Sequence, residues 1–264
     1  MRFHTSVLLL VCLLVVAGCG SGSESASEAP STTPQPAAEF PQEVSAPVLP
    51  DLSGAAGERL RREVARADEE KLDPYVFAKV GDSNTEWPQN LYGLGCREVG
   101  YGSNGDLKPV VERYTQTEFP DLEPFPECSP VNSLSRRSAA AVSGVWTEWL
   151  MTPSEVRELG PVPVLSTLPP MVVAAHNGES GDTRIAEANR IIEQVATDRQ
   201  VPLINLHAAL SAPGMVSQGL APDGLHLGVY GGESQPDIMR GSAMLTIPAL
   251  KYGANRRNLI WLQV

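Results

Sequence analysis

The sequence predicts an α/β domain built around a mostly parallel β-sheet. Three short apolar segments, residues 75–80, 162–168 and 201–206, have the composition of buried strands, because they lack the polar alternation of half-exposed ones. Helical segments separate them, and this alternation is typical of a parallel sheet with right-handed crossovers. The chain of 264 residues is long enough for one domain with a sizeable core.

The first two predicted elements are a helix and a strand. Residues 56–71 are amphipathic, with Leu60 and Val64 on one face and charged residues on the rest. Pro74 then starts the first strand, which breaks at Gly81. The second strand contains Pro163, which removes a ladder donor, so this strand is expected at a sheet edge or paired only beyond that residue.

Four further helical segments are predicted: residues 138–151, residues 152–160, a helix capped by Asp182, and most of residues 242–262. In the third of these, the residues expected on the buried side are Ile185, Ala188, Asn189, Ile192 and Val195. The last segment is interrupted by Pro248 and Gly253, which end or break helices.

The N-terminus has the pattern of an export signal. Arg2 and His4 precede an apolar run, residues 7–16, that is too short for a comfortable membrane span. The run ends in Val-Ala-Gly-Cys, which resembles the lipobox of bacterial lipoproteins and implies cleavage before Cys19 and lipid attachment to it. The prediction is an exported lipoprotein anchored at the cell envelope, on the periplasmic or surface face. The alternative is an ordinary secretory signal with an incidental cysteine.

Composition divides the chain into a signal peptide (residues 1–18), a lipidated, disordered tether (19–57) and a folded domain (58–264). The tether is rich in Ser, Glu, Ala, Pro and Thr and has too few large apolar residues to offset its ordering entropy. The formal net charge of -11 offers no basic surface for a phosphate backbone, so nucleic-acid binding is not expected.

The cysteines indicate an oxidising compartment. Cys12 lies in the signal and Cys19 in the lipobox, so Cys96 and Cys128 are the only pair left in the folded part and are expected to form a disulfide. A metal site on the same cysteines lacks other ligands at suitable spacing. We therefore predict neither a metal nor another cofactor.

Two short motifs contain residues suited to nucleophilic catalysis. Gly-Asp-Ser, ending in Ser83, follows the first predicted strand, and chemistry in open α/β sheets is placed at such carboxyl ends. Asp223 lies three residues before His226 in a turn-rich loop. At this spacing the carboxylate can accept a hydrogen bond from one imidazole nitrogen, leaving the other to face a hydroxyl.

With these two motifs, the chain resembles the SGNH hydrolases, the GDSL-like esterase and lipase family, from about Asp73 onward. The resemblance implies a three-layer α/β/α sandwich with a flavodoxin-like sheet and cleavage of esters. Ser83 would be the nucleophile, His226 the general base and Asp223 its orienting partner. In this family the oxyanion is bound by the backbone N–H of the serine, by a glycine of a second block and by an asparagine of a third.

The sequence departs from the family pattern in its third block. No Gly-x-Asn-Asp segment occurs between Ser83 and Asp223, and a strand-plus-helix unit is missing, so the sheet is expected to be smaller by one strand. Gly144 is a candidate for the glycine donor, or else a glycine that allows close packing. Asn84, Asn104 and Asn177 are possible substitutes for the missing asparagine, and nothing in the sequence selects one.

Two functions of different class follow. The first is a membrane-tethered serine esterase or acyl hydrolase, acting on a small ester or on acylated carbohydrate or lipid, with activity reduced by the missing donor. The second is a catalytically inactive envelope lipoprotein that binds a ligand on the same fold. A third reading is that the gap reflects a gene-model error or a deletion that destabilises the domain. The sequence predicts no oligomeric state.

Overall fold

The computed structural model describes residues 44–143, 163–172, 181–232 and 234–264. The predicted signal peptide, Cys19, most of the tether, Gly144 and the predicted helix at 152–160 lie outside these residues. The described α-helices are α1 (Ala55–Glu69), α2 (Ser83–Glu86), α3 (Tyr92–Cys96), α4 (Lys108–Tyr114), α5 (Gly181–Arg199), α6 (Leu206–Ser211), α7 (Gln235–Ser242) and α8 (Gly253–Gln263).

The fold is mixed α/β with a small parallel sheet. Strand β1 (Leu165–Ser166) pairs in parallel with β2 (Leu203–Ile204), Leu165 opposite Leu203 and Ser166 opposite Ile204. These strands lie within two of the three predicted segments, and β1 pairs only beyond Pro163, as the proline suggests. Helix α5 runs between them, so the predicted strand, helix and strand order is confirmed here.

The first predicted strand, residues 75–80, is not formed. Its continuation makes only an isolated parallel bridge, in which Gly81 N–H donates to Ala140 O and Val142 N–H donates to Gly81 O, both at 3.0 Å. Burial also differs from the prediction, since the side chain of Lys79 is only 2% exposed whereas Val80 is 37% exposed. Lys79 is buried because its Nζ donates a hydrogen bond of 3.0 Å to Leu134 O.

The predicted helix at 138–151 is also wrong in its first part. Residues 138–143 form a turn followed by the bridge from Ala141 to Gly81. Ser143 N–H then donates to Glu86 Oε2 at 2.7 Å. A backbone paired in this extended way cannot also form the helical ladder. The remainder of the predicted helix lies outside the described residues.

The predicted disordered tether does not extend to Gly57. The N–H groups of Ser45 and Ala46 donate to Glu193 Oε1 of α5 at 2.9 and 2.8 Å. Asn205 N–H donates to Val48 O at 3.1 Å, and its side-chain amide donates to Ala46 O at 2.7 Å. The composition of this segment shows that it has little apolar surface to bury. It does not show that Glu193 of α5 and Asn205 form hydrogen bonds with its backbone.

Helix α5 has the predicted buried side. Ile185 and Asn189 are buried, and Ala188, Ile192 and Val195 are half-buried. Asn189 fixes the helix to the end of β1, because its Oδ1 accepts from Leu168 N–H at 2.6 Å and its Nδ2 donates to Leu168 O at 3.1 Å. Asp182 lies inside the helix rather than at its N-cap.

The C-terminal helix α8 joins the two largest apolar clusters. Leu259 packs with Leu134 and Leu245, whereas Ile260 packs with Ile204 and Leu210. The predicted helical tail is confirmed in outline, with a break between α7 and α8 that contains Pro248. The predicted disulfide is confirmed: Cys96 at the end of α3 is bonded to Cys128, with their Cα atoms 5.1 Å apart.

Candidate active site

Ser83 is the first residue of the short helix α2. The preceding Asp82 caps the helix, its Oδ1 accepting a hydrogen bond of 3.0 Å from Asn84 N–H. Gly81 makes the sharp turn into the helix with φ +155°, and a Cβ there would lie 2.3 Å from Thr85 Oγ1. The glycine and the aspartate of the motif thus direct the chain so that Ser83 opens a helix.

Asp223 organises the loop that carries His226. Its Oδ1 accepts from the N–H groups of Leu225 and His226, both at 2.9 Å. Its Oδ2 lies 2.6 Å from His226 Nδ1. Gly224 has φ +68°, a conformation that favours glycine. One carboxylate therefore shapes the turn with one oxygen and orients the imidazole with the other.

The structure brings Ser83, His226 and Asp223 together. Ser83 Oγ lies 3.0 Å from His226 Nε2, on the opposite side of the imidazole from Asp223. The Asp223 side chain is 50% exposed and the His226 side chain is 17% exposed, so Asp223 is the more solvent-accessible of the two. Partial burial raises the pKa of Asp223, but hydrogen bonds from His226 and from two backbone N–H groups outweigh it and hold that pKa below its usual value.

Asn84 links the serine helix to the histidine loop. Its Oδ1 accepts from Leu227 N–H at 3.0 Å, and its Nδ2 donates to Leu225 O at 3.4 Å. Asn104 is likewise engaged, donating to Leu245 O at 2.8 Å. Asn104 also donates to Tyr101 O at 3.3 Å, so it uses both amide N–H donors on backbone carbonyls, whereas Asn84 uses one of its two. Asn177 lies outside the described residues.

Trp87, which belongs to neither of the two sequence motifs, stacks on His226. The indole and imidazole centroids are 4.5 Å apart, and the ring planes are 11° from parallel. Trp87 remains 40% exposed, so it also forms part of the surface beside Ser83. The sequence does contain one indication of this contact. Trp87 follows Ser83 by four residues, a spacing that brings both side chains to the same side of one helical turn.

Arg257 lies beneath the serine helix and is only 4% exposed. Its Nη1 donates a hydrogen bond of 2.6 Å to Asn84 O, while Nε and Nη2 have no partner among the described residues. Burial lowers the pKa of Arg257 to about 9, partly offset by Asp82. No sequence pattern identified this residue, because a polar position on a C-terminal helix is usually solvated.

The backbone N–H of Ser83 is the first candidate donor to an oxyanion. It has no hydrogen-bond acceptor within the described ranges, as expected for the first residue of a helix. Gly144, the candidate second donor, lies outside them. It follows Ser143, whose hydroxyl and N–H both donate to Glu86 of α2, so the described chain approaches the serine helix just before Gly144.

Elsewhere in the described part of the chain, no group of three or more His, Cys, Asp or Glu side chains is placed to hold a metal ion. None of the helices in the four described ranges is long and apolar enough to cross a membrane. Comparison of the chain with protein-family models, with curated proteins and with solved structures finds no match.

Proposed function

We propose that this protein is a serine hydrolase that cleaves carboxylic esters. The observation that carries the proposal is the continuous chain from Ser83 Oγ to His226 Nε2, at 3.0 Å, and from His226 Nδ1 to Asp223 Oδ2, at 2.6 Å. Both distances are within the reach that a general base needs. The three groups come from two segments far apart in sequence, helix α2 and the histidine loop, so local turn formation does not account for their meeting.

The chemistry follows from this order of groups. His226 Nδ1–H donates to Asp223, so Nε2 presents a lone pair to the Ser83 hydroxyl. As Ser83 Oγ bonds to the acyl carbon, its proton passes to Nε2 and the carbonyl electron pair moves onto oxygen. Collapse of this intermediate breaks the bond to the alcohol, which leaves with the proton from Nε2. Water then attacks the acyl-enzyme by the same route and releases the acid.

The Ser83 N–H is one donor to the developing oxyanion. Loss of one donor in such a site can cost roughly a hundredfold to a thousandfold in rate. Because Asn84 and Asn104 are engaged with backbone groups, the second donor is proposed to be the backbone N–H of Gly144. This assignment rests on the family resemblance and on the position of Ser143 beside α2.

The proposed context is that of an SGNH-type lipoprotein of the bacterial envelope, tethered through lipid on Cys19. The domain would be a three-layer α/β/α sandwich whose flavodoxin-like sheet has lost one strand, of which β1 and β2 are the paired part. The proposed substrates are small esters or acylated carbohydrate or lipid of the envelope, since a tethered domain meets these first. No cofactor is needed for this reaction.

A binding protein on the same fold is the alternative. It is favoured by one observation: the two described asparagines named for the oxyanion role, Asn84 and Asn104, both hold backbone groups with their side-chain amides. A crevice that orients Ser83 and His226 without stabilising the oxyanion would bind an ester or its product and release it unchanged. The two functions differ in turnover and not in fold.

The test is hydrolysis of p-nitrophenyl acetate and butyrate by the full chain beside Ser83→Ala, after both proteins are shown to unfold cooperatively. We expect turnover that is lost in Ser83→Ala, and covalent labelling of Ser83 by a fluorophosphonate in the parent protein only. Equal rates in two well-folded proteins would reject the hydrolase and favour the binding protein.

A further inference from the structure

The hydrogen bonds within the histidine loop do not by themselves place His226 against Ser83. The Asp223 carboxylate and the antiparallel bridge between Leu220 and Leu227 fix the loop internally. These contacts lie within the loop and do not fix its position relative to α2. A general base must hold its position to within a fraction of an ångström, since a displacement of about 1 Å can cost roughly a hundredfold in rate.

Asn84 connects helix α2 to the histidine loop through the two residues that flank His226. It follows the nucleophile directly, and its amide binds the backbone of the residues immediately before and after His226: Nδ2 donates to Leu225 O and Oδ1 accepts from Leu227 N–H. The Asn84 carbonyl is in turn held by the buried Arg257 at 2.6 Å. A single side chain thus sets the distance between the nucleophile's helix and the base's backbone.

Trp87 fixes the ring itself. Rotation of the imidazole about its Cβ–Cγ bond would carry Nε2 away from Ser83 Oγ, and it would also break the parallel stack on the indole, with centroids 4.5 Å apart. The indole face carries negative electrostatic potential, so the same contact favours the imidazolium that forms when His226 takes the serine proton.

We propose that Asn84 and Trp87 are positioning residues for His226, so that the segment carrying the nucleophile also carries the groups that hold its general base. Neither residue takes or gives a proton in the proposed reaction. Both act through His226: Asn84 through its backbone and Trp87 through its ring. The kinetic part of this inference rests on the proposed hydrolase, whereas the placement of the ring does not.

The kinetic experiment compares Asn84→Ala, Trp87→Ala and the double variant as full chains on p-nitrophenyl acetate. We expect kcat to fall about tenfold to a hundredfold in each single variant, because the base is misplaced. KM should stay within about twofold in Asn84→Ala, whose side chain binds the backbone of the histidine loop, whereas Trp87→Ala also removes exposed surface beside Ser83 and is expected to raise KM. Trp87→Phe, which keeps an aromatic face, should recover most of the loss. The double variant should lose less than the product of the single losses, since both hold one group.

Asn104→Ala is the matched control. Asn104 also donates from its amide to two backbone carbonyls, Leu245 O at 2.8 Å and Tyr101 O at 3.3 Å, but it does not touch the histidine loop. We expect it to lower the melting temperature as Asn84→Ala does while leaving kcat unchanged. A kcat loss in Asn104→Ala as large as in Asn84→Ala would overturn the proposal, because general loosening would then explain both.

A second readout is independent of turnover. The emission of an indole depends on the ring stacked on it, so His226→Gln should change the tryptophan emission of the parent protein at constant pH. The same replacement made in Trp87→Phe should leave its emission unchanged. If the parent protein shows no Ser83-dependent hydrolysis but keeps the emission change, the hydrolase fails and the placement of the ring stands. Persistence of the change in Trp87→Phe, or its absence from the parent protein, overturns the proposal.

Discussion

Lys79 Nζ lies 3.8 Å from the centroid of the Tyr92 ring, and both side chains are buried. The ammonium group also donates to Leu134 O, but no carboxylate among the described residues pairs with it. Burial, and then repulsion by Arg136 and Arg257, hold the pKa of Lys79 well below its usual 10.5. Burial likewise raises the pKa of Tyr92 to about 12. In both cases burial disfavours the charged form of the side chain. The free energy of unfolding should therefore depend on pH in a specific way for each residue.

Tyr92→Phe is expected to protect the protein at alkaline pH. The tyrosine of the unfolded chain loses its proton near pH 10, whereas the folded state keeps it to about pH 12, so wild-type stability falls as pH rises through this window. The hydroxyl has no partner in the described residues, so its removal should cost little at pH 8. Urea unfolding at pH 8 and 11 should show the variant gaining roughly 1–1.5 kcal/mol over wild type at the higher pH. Tyr230→Phe, at a half-buried position, is the control, and an equal gain there would contradict the assignment.

Lys79→Met is expected to leave the unfolding free energy at pH 7 unchanged or to raise it by about 1–2 kcal/mol, because an apolar chain of similar length replaces a buried amine that pairs with no carboxylate among the described residues. In wild type, the lowered pKa means that stability rises with pH and that the rise is complete above 10.5. The variant should lose this rise. The measurement is urea unfolding between pH 7 and 10, and a loss above about 2 kcal/mol at pH 7 would show that the bond to Leu134 O outweighs burial of the charge.

Lys79 also shows which part of the fold cannot be predicted from the sequence. Apolar periodicity predicts a buried strand at residues 75–80, with Lys79 as the exception, yet the structure buries Lys79 and exposes Val80. Periodicity measures hydrophobicity along the chain, whereas the burial of Lys79 depends on a carbonyl and a ring that are distant in sequence. By contrast, helix α5 and the strands β1 and β2 have strong local patterns and lie within the predicted segments, although each strand is only two residues long.

For the site, the sequence predicts the residues better than the contacts that hold them. The spacing of Asp223 and His226 constrains their geometry, because a carboxylate three residues before an imidazole in a turn can reach its Nδ1. The local spacing brings Trp87 to the side of Ser83, but it does not indicate that the indole stacks on His226, and nothing local indicates that Arg257 binds the Asn84 carbonyl. Those contacts join segments far apart in the chain, and only the folded structure brings them together.

The disulfide is expected to contribute about 3–4 kcal/mol to stability, because it closes a loop between residues separated by 32 positions. The change is the double replacement Cys96→Ala and Cys128→Ala, compared with wild type by urea unfolding with and without a reductant. Reductant should lower the wild-type stability toward that of the variant and leave the variant unaffected. A reductant effect of equal size in both proteins would show that the loss does not come from this bond.

Asp223→Asn is expected to lower kcat by about a hundredfold to ten-thousandfold while leaving the fold intact. Asparagine keeps an Oδ1 that can accept from the N–H groups of Leu225 and His226, so the turn should survive. Its Nδ2, however, donates where the carboxylate accepted. The imidazole must then carry its proton on Nε2, which leaves no lone pair for the Ser83 hydroxyl.

Asp51→Asn is the matched control, because Asp51 shapes an exposed turn through Ser53 in the same way but lies in the segment before α1. The measurement is kcat on p-nitrophenyl acetate with melting temperatures for both variants, and full activity in Asp223→Asn would remove the carboxylate from the mechanism.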